Sequence, residues 1–397
     1  MLDTLAAAAT TSLGFFWKSG WAFVFGYAIS GMIQAFVPRA RLAAYMGDAS
    51  PRSVGLATVF GAASSSCSFA ALSAARALVT KGAHFVAAVA FMFASTNLVV
   101  ELGILIFLFL GWQYVVAEIV GGILLIALTT LIIRATYPRQ WLEEARETLE
   151  EEAPVESESF DWKERVRTKE GWWLVGHRFV GEWSMVWEEI TIGFTVAGLV
   201  AVLVPPEFWE AIFLMDLQGQ IPGWLIALEN AVVAPFVAAL TFIGSMGNIP
   251  LATVLASNGV LFAGIMGFIY SDLMVPPLVA VNARYYGWRV ALYIAGVMFV
   301  SIVVTALTLA GLVGVVGLTP ESSRTVEDVV RFEIDYTFWL NLGMAGVAAT
   351  FVVLHRKHVA HRDASEMERG GGVSPKGIVA LTCVGAVALG GVVAWLG

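Results

Sequence analysis

Apolar positions along this chain come in long blocks, with little of the turn-bounded, ten-residue alternation that a membrane β-barrel requires. The runs 83–111 (AHFVAAVAFMFASTNLVVELGILIFLFLG) and 288–318 each exceed the roughly 20 apolar residues that cross about 30 Å of hydrocarbon as a helix. The pattern predicts full spans at about 13–37, 83–111, 112–135, 185–205, 260–283, 288–318, 336–354 and 376–396. Two segments do not fit it. Segment 53–80 is interrupted by GAASSSCS, and segment 224–258 by GSMGNIP at 244–250, where Gly and Pro break helices. Each is either one crossing or a re-entrant hairpin that enters and leaves on one face.

Charge decides between these, because short loops rich in Lys and Arg stay in the cytoplasm. With the N-terminus outside and both segments folded back as hairpins, 20 of the 23 basic residues fall on the cytoplasmic side, leaving Lys18, Arg324 and Arg331 outside. Two full crossings would divide the 23 as 10 against 13. The double hairpin is therefore expected. Each arm of the first one, about 13 residues, is about 20 Å long, so its tip passes the bilayer centre. Backbone there is tolerated only where protein or a water-filled cavity surrounds it.

This layout exposes a repeat. A shift of 177 residues superimposes Ala75 on Ala252, Leu78 on Leu255, Gly82 on Gly259, Phe85 on Phe262 and Ser68 on Ser245. Both halves run span, hairpin, span, span, with opposite directions, which is the inverted repeat used by secondary transporters. The fold expected is all-α and membrane-embedded, with about eight spans plus two re-entrant hairpins. Residues 1–135 form the first repeat, 136–184 a cytoplasmic loop with an interfacial Trp-rich segment (171–187), and 185–318 the second repeat. Residues 319–397 supply an extracytoplasmic loop and two further spans.

Composition agrees: 58% of the 397 residues are hydrophobic and only 14% charged, against about 25% charged in soluble proteins. A net charge of −8 argues against nucleic acid as a partner. The two cysteines, Cys67 and Cys383, exclude a disulfide framework. MLDTLAAAATTSLGFFWKSGW has no basic leader and reads as part of the mature chain. The location expected is the inner (cytoplasmic) membrane of a prokaryote.

Ionisable side chains inside a membrane are costly and mark pathways or proton relays. Asp272, in FIYSDLMVPPL, lies mid-span, and its repeat counterpart is Ser95 in ASTNL. It either titrates or satisfies the backbone of a broken helix. Glu101 follows Asn97 by four residues and shares its helix face; it ranks second for proton coupling. Glu118, Glu188, Glu189 and Glu229 lie nearer to span ends, where snorkelling is the default. At the hairpin tips, Ser65, Ser66, Ser68, Gly244, Ser245 and Asn248 are candidates for substrate binding, and Asn97 joins them from the span. Cys67 is either a small hydrophobe or a soft ligand for a thiophilic substrate. His355, His358 and His361 could bind metal but read first as a solvated basic tail, and no metal or other cofactor is expected.

The stretch GAASSSCSFAALSAARALVTKGAHFVAAVAFMFASTNLVVELGI, with GSMGNIPLATVL and FIYSDLMVPPL, resembles the predicted-permease family that includes the ArsP-type organoarsenical efflux permeases. The resemblance covers about residues 10–320. It implies an inner-membrane permease of about eight spans, with Cys67 as the matching motif cysteine and a trivalent organoarsenical as the substrate class. Arsenical exporters of the family typically carry a Pro-Leu-Cys-Ser-Cys-Gly type of motif, whereas Ser65-Ser66-Cys67-Ser68-Phe69 holds a single thiol. Capture by two thiolates within the motif is excluded, which marks a divergent branch. The function expected is a secondary transporter exporting an organoarsenical or another small thiophilic compound. The alternative is an uncoupled channel or facilitator. A membrane enzyme is disfavoured, because the chain has no paired-cysteine motif or intramembrane His cluster.

Overall fold

The structure, a computed structural model, describes residues 2–36, 46–64, 68–136, 141, 162–318, 320, 325–361 and 375–396. Ser65, Ser66 and Cys67 lie outside the described residues, as does most of the hydrophilic stretch 138–161. In chain order the helices are α1 (Leu2–Phe36), α2 (Pro51–Ser64), α3 (Ser68–Thr80), α4 (Phe85–Asn97), α5 (Val100–Phe109), α6 (Trp112–Thr136), α7 (Trp162–Arg167) and α8 (Lys169–Leu203). They continue with α9 (Pro206–Ile212), α10 (Gly223–Thr241), α11 (Ser245–Ser257), α12 (Phe262–Ile269), α13 (Pro276–Val316), α14 (Val326–Val329), α15 (Tyr336–His361) and α16 (Pro375–Leu396). Among the described residues there is no β-structure beyond one isolated bridge. Among the described residues, seven helical segments are long and apolar enough to cross a membrane. The protein is an all-α integral membrane protein.

Several expected spans differ in detail. The run 83–111 is two helices, α4 and α5, parted at Leu98 and Val99. The run 260–283 is divided between α12, a 3-10 turn at Asp272–Met274 and the start of α13. Long α13 is itself interrupted at Gly287, whose φ of +80° is left-handed. The Trp-rich stretch 171–187 lies within the continuous helix α8, which buries Val175, Phe179, Glu182 and Val186. Helix α10, at 19 residues, is long enough to cross alone, at about 28 Å.

The chain divides into two compact units, Met1–Pro38 with Glu158–Val204 and Val326–Gly397, and Arg39–Ser157 with Pro205–Thr325. In the first, α1 and α8 pack along their lengths, and α15 and α16 lean on them. Phe23, Tyr27, Trp183 and Phe194 form its aromatic centre. Lys376 Nζ binds Glu189 Oε1 at 2.8 Å.

In the second unit a constant spacing recurs at the level of helix ends. A spacing of 177 relates the C-terminus of α2 (Ser64) to that of α10 (Thr241), and the first residue of α3 (Ser68) to that of α11 (Ser245). The same spacing relates the last residues Thr80 and Ser257, and the next starts Phe85 and Phe262. The turns between agree bond for bond. Gly82 and Gly259 have φ of +94° and +85°, and the amides that follow bond back across the last helical turn, Ala83 N to Leu78 O (2.9 Å) and Val260 N to Leu255 O (3.2 Å). Only glycine takes this C-cap conformation without strain, so the two glycines fix where each helix stops.

Packing within this unit is crossed. Helix α2 lies along α4, and α10 along α12, but α3 also reaches α13 and α11 reaches α5. At Gly61 a Cβ would lie 2.5 Å from the Phe91 carbonyl oxygen. Helix α2 therefore meets α4 backbone to backbone, as small residues allow between membrane helices.

Candidate functional site

At the two breaks that divide the spans, short polar side chains turn back onto carbonyls of the preceding helical turn. At the first, Ser95 Oγ donates to Met92 O (3.0 Å) and Asn97 Nδ2 to Phe93 O (3.2 Å). At the second, Ser271 Oγ donates to Gly267 O. There the chain turns extended at Val275 (φ −60°, ψ 137°) and restarts at Pro276, as the residue before a proline and a proline at a first helical position favour. Between these last two events stands Asp272, fully buried.

At Asp272 the first residues of α3 and α11 meet. Ser68, the first residue of α3, donates from Oγ to Asp272 Oδ2 at 3.1 Å. Ser245, the first residue of α11, donates to the same oxygen at 2.5 Å, and the two hydroxyl oxygens are 3.2 Å apart. All three side chains are buried. A buried carboxylate requires hydrogen bonds, and here two helix N-termini, with their unpaired amides and positive dipole ends, supply the residues that provide them. Chemically the cluster can hold a proton, a small cation or the polar end of a solute, each replacing a serine as the partner of the carboxylate.

The remaining candidates are placed as follows. Gly244 is the N-cap of α11 with extended backbone. Asn248 braces the junction of α10 and α11, accepting from Thr241 Oγ1 (3.2 Å) and donating to Ile243 O (3.2 Å). That brace encloses Phe242, a non-glycine residue at φ +54°. A bulky side chain in the left-handed region costs about 1–2 kcal/mol and is retained where surrounding structure imposes it. Asn97 is buried and gives its second amide hydrogen to Thr96 Oγ1 (3.1 Å), while its Oδ1 accepts from no described residue. Glu101 is buried in the first turn of α5, where the helix dipole favours a negative charge. Ser65, Ser66 and Cys67 lie outside the described residues.

Glu118 was under-ranked by its position along the span. It does not snorkel: it is 2% exposed on α6, and neither carboxyl oxygen has a hydrogen-bond partner among the described residues. Beside it, Tyr270 donates to the Ala117 carbonyl at 3.0 Å. The Tyr270 hydroxyl occupies the space that a Cβ on Gly121 would need, 2.2 Å away. A glycine one turn after an acidic residue was the available signal.

His177 was also missed. Its ring stacks on His355 and His358 of α15, and its Nδ1 lies 3.2 Å from Nδ1 of His355. These rings lie face to face and do not converge on a point; among the described residues no group of three His, Cys, Asp or Glu is arranged to hold a metal ion.

Residues 4–311 match the family described as "Predicted permease", of the ArsP type. A protein of Mycobacterium tuberculosis (strain ATCC 25618 / H37Rv), named "Putative permease Rv2963", is 36% identical over 329 residues, 80% of this chain and 80% of the relative. No solved structure matches the chain significantly. With a family match over more than three quarters of its length and multiple membrane-spanning helices, the chain belongs to the ArsP-type predicted-permease family and is a multi-pass membrane permease.

Proposed function

We propose that this permease is a secondary transporter that exports a small solute, an organoarsenical or another thiophilic compound, through a site between two re-entrant hairpin tips. The two halves are read as an inverted repeat, with the N-terminus outside and the chain in the inner membrane of a prokaryote. One observation carries the reading: Ser68 and Ser245, 177 residues apart and each the first residue of its helix, share one oxygen of Asp272. Broken helices whose ends meet at a buried polar point are the usual construction of a transporter's substrate site.

In this mechanism Asp272 carries the coupling proton. Ionised, it accepts both serine hydroxyls and draws the tips together; protonated, it loses most of the attraction for them and the tips separate. A carboxylate exposed in turn to two faces can load and release a proton as its surroundings change. Glu101, at the start of α5, is the second proton-handling candidate. Substrate contacts fall to Ser68, Ser245 and Asn97, with Cys67, Ser65 and Ser66 of the first tip as further contacts and Gly244 and Asn248 shaping the second.

The test is proton-driven uptake of a trivalent phenylarsenical into inverted vesicles. Asp272→Asn should abolish accumulation against a gradient while the protein remains folded. Undiminished accumulation removes Asp272 from the mechanism. Equal downhill flux with no accumulation in the wild-type protein would favour the uncoupled facilitator. Cysteines placed at Ser50 and Lys81 should both react from the cytoplasmic face, and labelling from opposite faces would refute the first hairpin.

A further inference from the structure

The second unit has a groove of about 500 Å³ with no part in the polar cluster. Gly55 and Val59 of α2 form one wall, Ile123 and Leu131 of α6 the other, and Pro51 and Arg134 close one end. Val59 and Leu131 are each 64% exposed, so the groove opens outward on an apolar surface, which in an integral membrane protein faces hydrocarbon. From Ile123 to Arg134 the wall rises about 16 Å along α6, close to half of a hydrocarbon core of about 30 Å. It is therefore one leaflet deep.

Its closed end is cationic. Arg134, in the last turn of α6, has no ion pair among the described residues, and neither has Arg52, the second residue of α2. The N-terminus of α2 adds the positive end of its dipole at Pro51. The nearby carboxylate of Asp48 is engaged by the amide and hydroxyl of Ser50 (3.2 and 2.7 Å). Thr58, on the wall, turns its hydroxyl back to the Val54 carbonyl (2.9 Å), which leaves its methyl for the groove.

We propose that the groove holds one acyl chain of an anionic glycerophospholipid, with its phosphate against Arg134 and the start of α2. Basic pockets between membrane helices select anionic headgroups in this way. The one-leaflet depth sets the chain's position, and the unpaired guanidinium sets the headgroup's charge.

The test uses the full-length purified protein, titrated with phosphatidylglycerol or phosphatidylcholine and examined by native mass spectrometry. The wild-type protein should retain one phosphatidylglycerol in preference to phosphatidylcholine. Arg134→Gln should reduce that preference about fivefold, the factor that about 1 kcal/mol per basic side chain near the membrane surface represents. Val59→Trp, which fills the groove from an exposed position, should expel either lipid, and Arg289→Gln should change nothing. Equal retention of the two lipids by the wild-type protein would mean ordinary annular lipid and overturn the proposal. So would a preference unchanged by Arg134→Gln, or a first phosphatidylglycerol still bound after Val59→Trp. None of these readouts involves transport, so failure here and failure of the transport reading are separable.

Discussion

Ser245→Ala removes the shorter of the two hydroxyl bonds to Asp272 Oδ2, the one at 2.5 Å, and leaves that from Ser68 at 3.1 Å. Hydrogen bonds to a charged group contribute about 1.5–3 kcal/mol, and neutral ones about 0.5–1.5 kcal/mol. Ser245→Ala should therefore destabilise the protein by about 2 kcal/mol. In an Asp272→Asn background, where the bond is neutral, the same change should cost about 1 kcal/mol. The difference, a coupling energy of about 1 kcal/mol, lies within the range of contacting pairs. Equilibrium unfolding of the four proteins in mixed micelles, with rising anionic detergent, measures it, and the same cycle with Ser68→Ala should give a similar value. Purely additive effects in both cycles would mean that neither serine is bonded to an ionised carboxylate, and the account of the tips would fail with it.

Other substitutions address separate links. Gly121→Ala drives a methyl into the Tyr270 hydroxyl at 2.2 Å and Leu309 Cδ1 at 2.4 Å, and should lower unfolding stability by about 1–3 kcal/mol; an unchanged value would show that α6 shifts freely. Phe242→Gly releases left-handed strain at an exposed side chain and should raise stability by about 1 kcal/mol in the same assay. Glu118→Gln preserves shape where no hydrogen bond is made to the carboxyl; it should leave stability within about 0.5 kcal/mol and change the pH profile of proton-driven uptake, while an unchanged profile would exclude Glu118 from proton handling. Asp335 starts α15 by accepting from the amide of Thr337 at 2.8 Å. Partial burial acts to raise its pKa, but the hydrogen bonds from Thr337 and Phe338 and the charge of Lys18 outweigh it and hold it below the usual carboxylate value. A depressed pKa contributes stability above the unfolded value that is lost as pH falls through the folded one. Unfolding midpoints should accordingly drop below about pH 4 more steeply in the wild-type protein than in Asp335→Asn.

The polar cluster was legible because the residues that build it also break the hydrophobic pattern. Ser68, Ser245 and Asp272 interrupt apolar runs, and a constant spacing of 177 residues pairs the two serines in the sequence. Glu118 was hidden by the assumption that a carboxylate near a span end snorkels, an assumption defeated by contacts with Tyr270 that no local pattern encodes. His177 was hidden because its partners lie about 180 residues further on. Continuity of α8 was missed because its charged and tryptophan-rich beginning has an interfacial composition, although one face of it is buried.

The crossed packing of the second unit, α3 upon α13 and α11 upon α5, resembles clasped hands: neither can be withdrawn without loosening the other's grip. For that reason, a substitution that loosens α3 from α13 should also weaken the seat of α11 on α5.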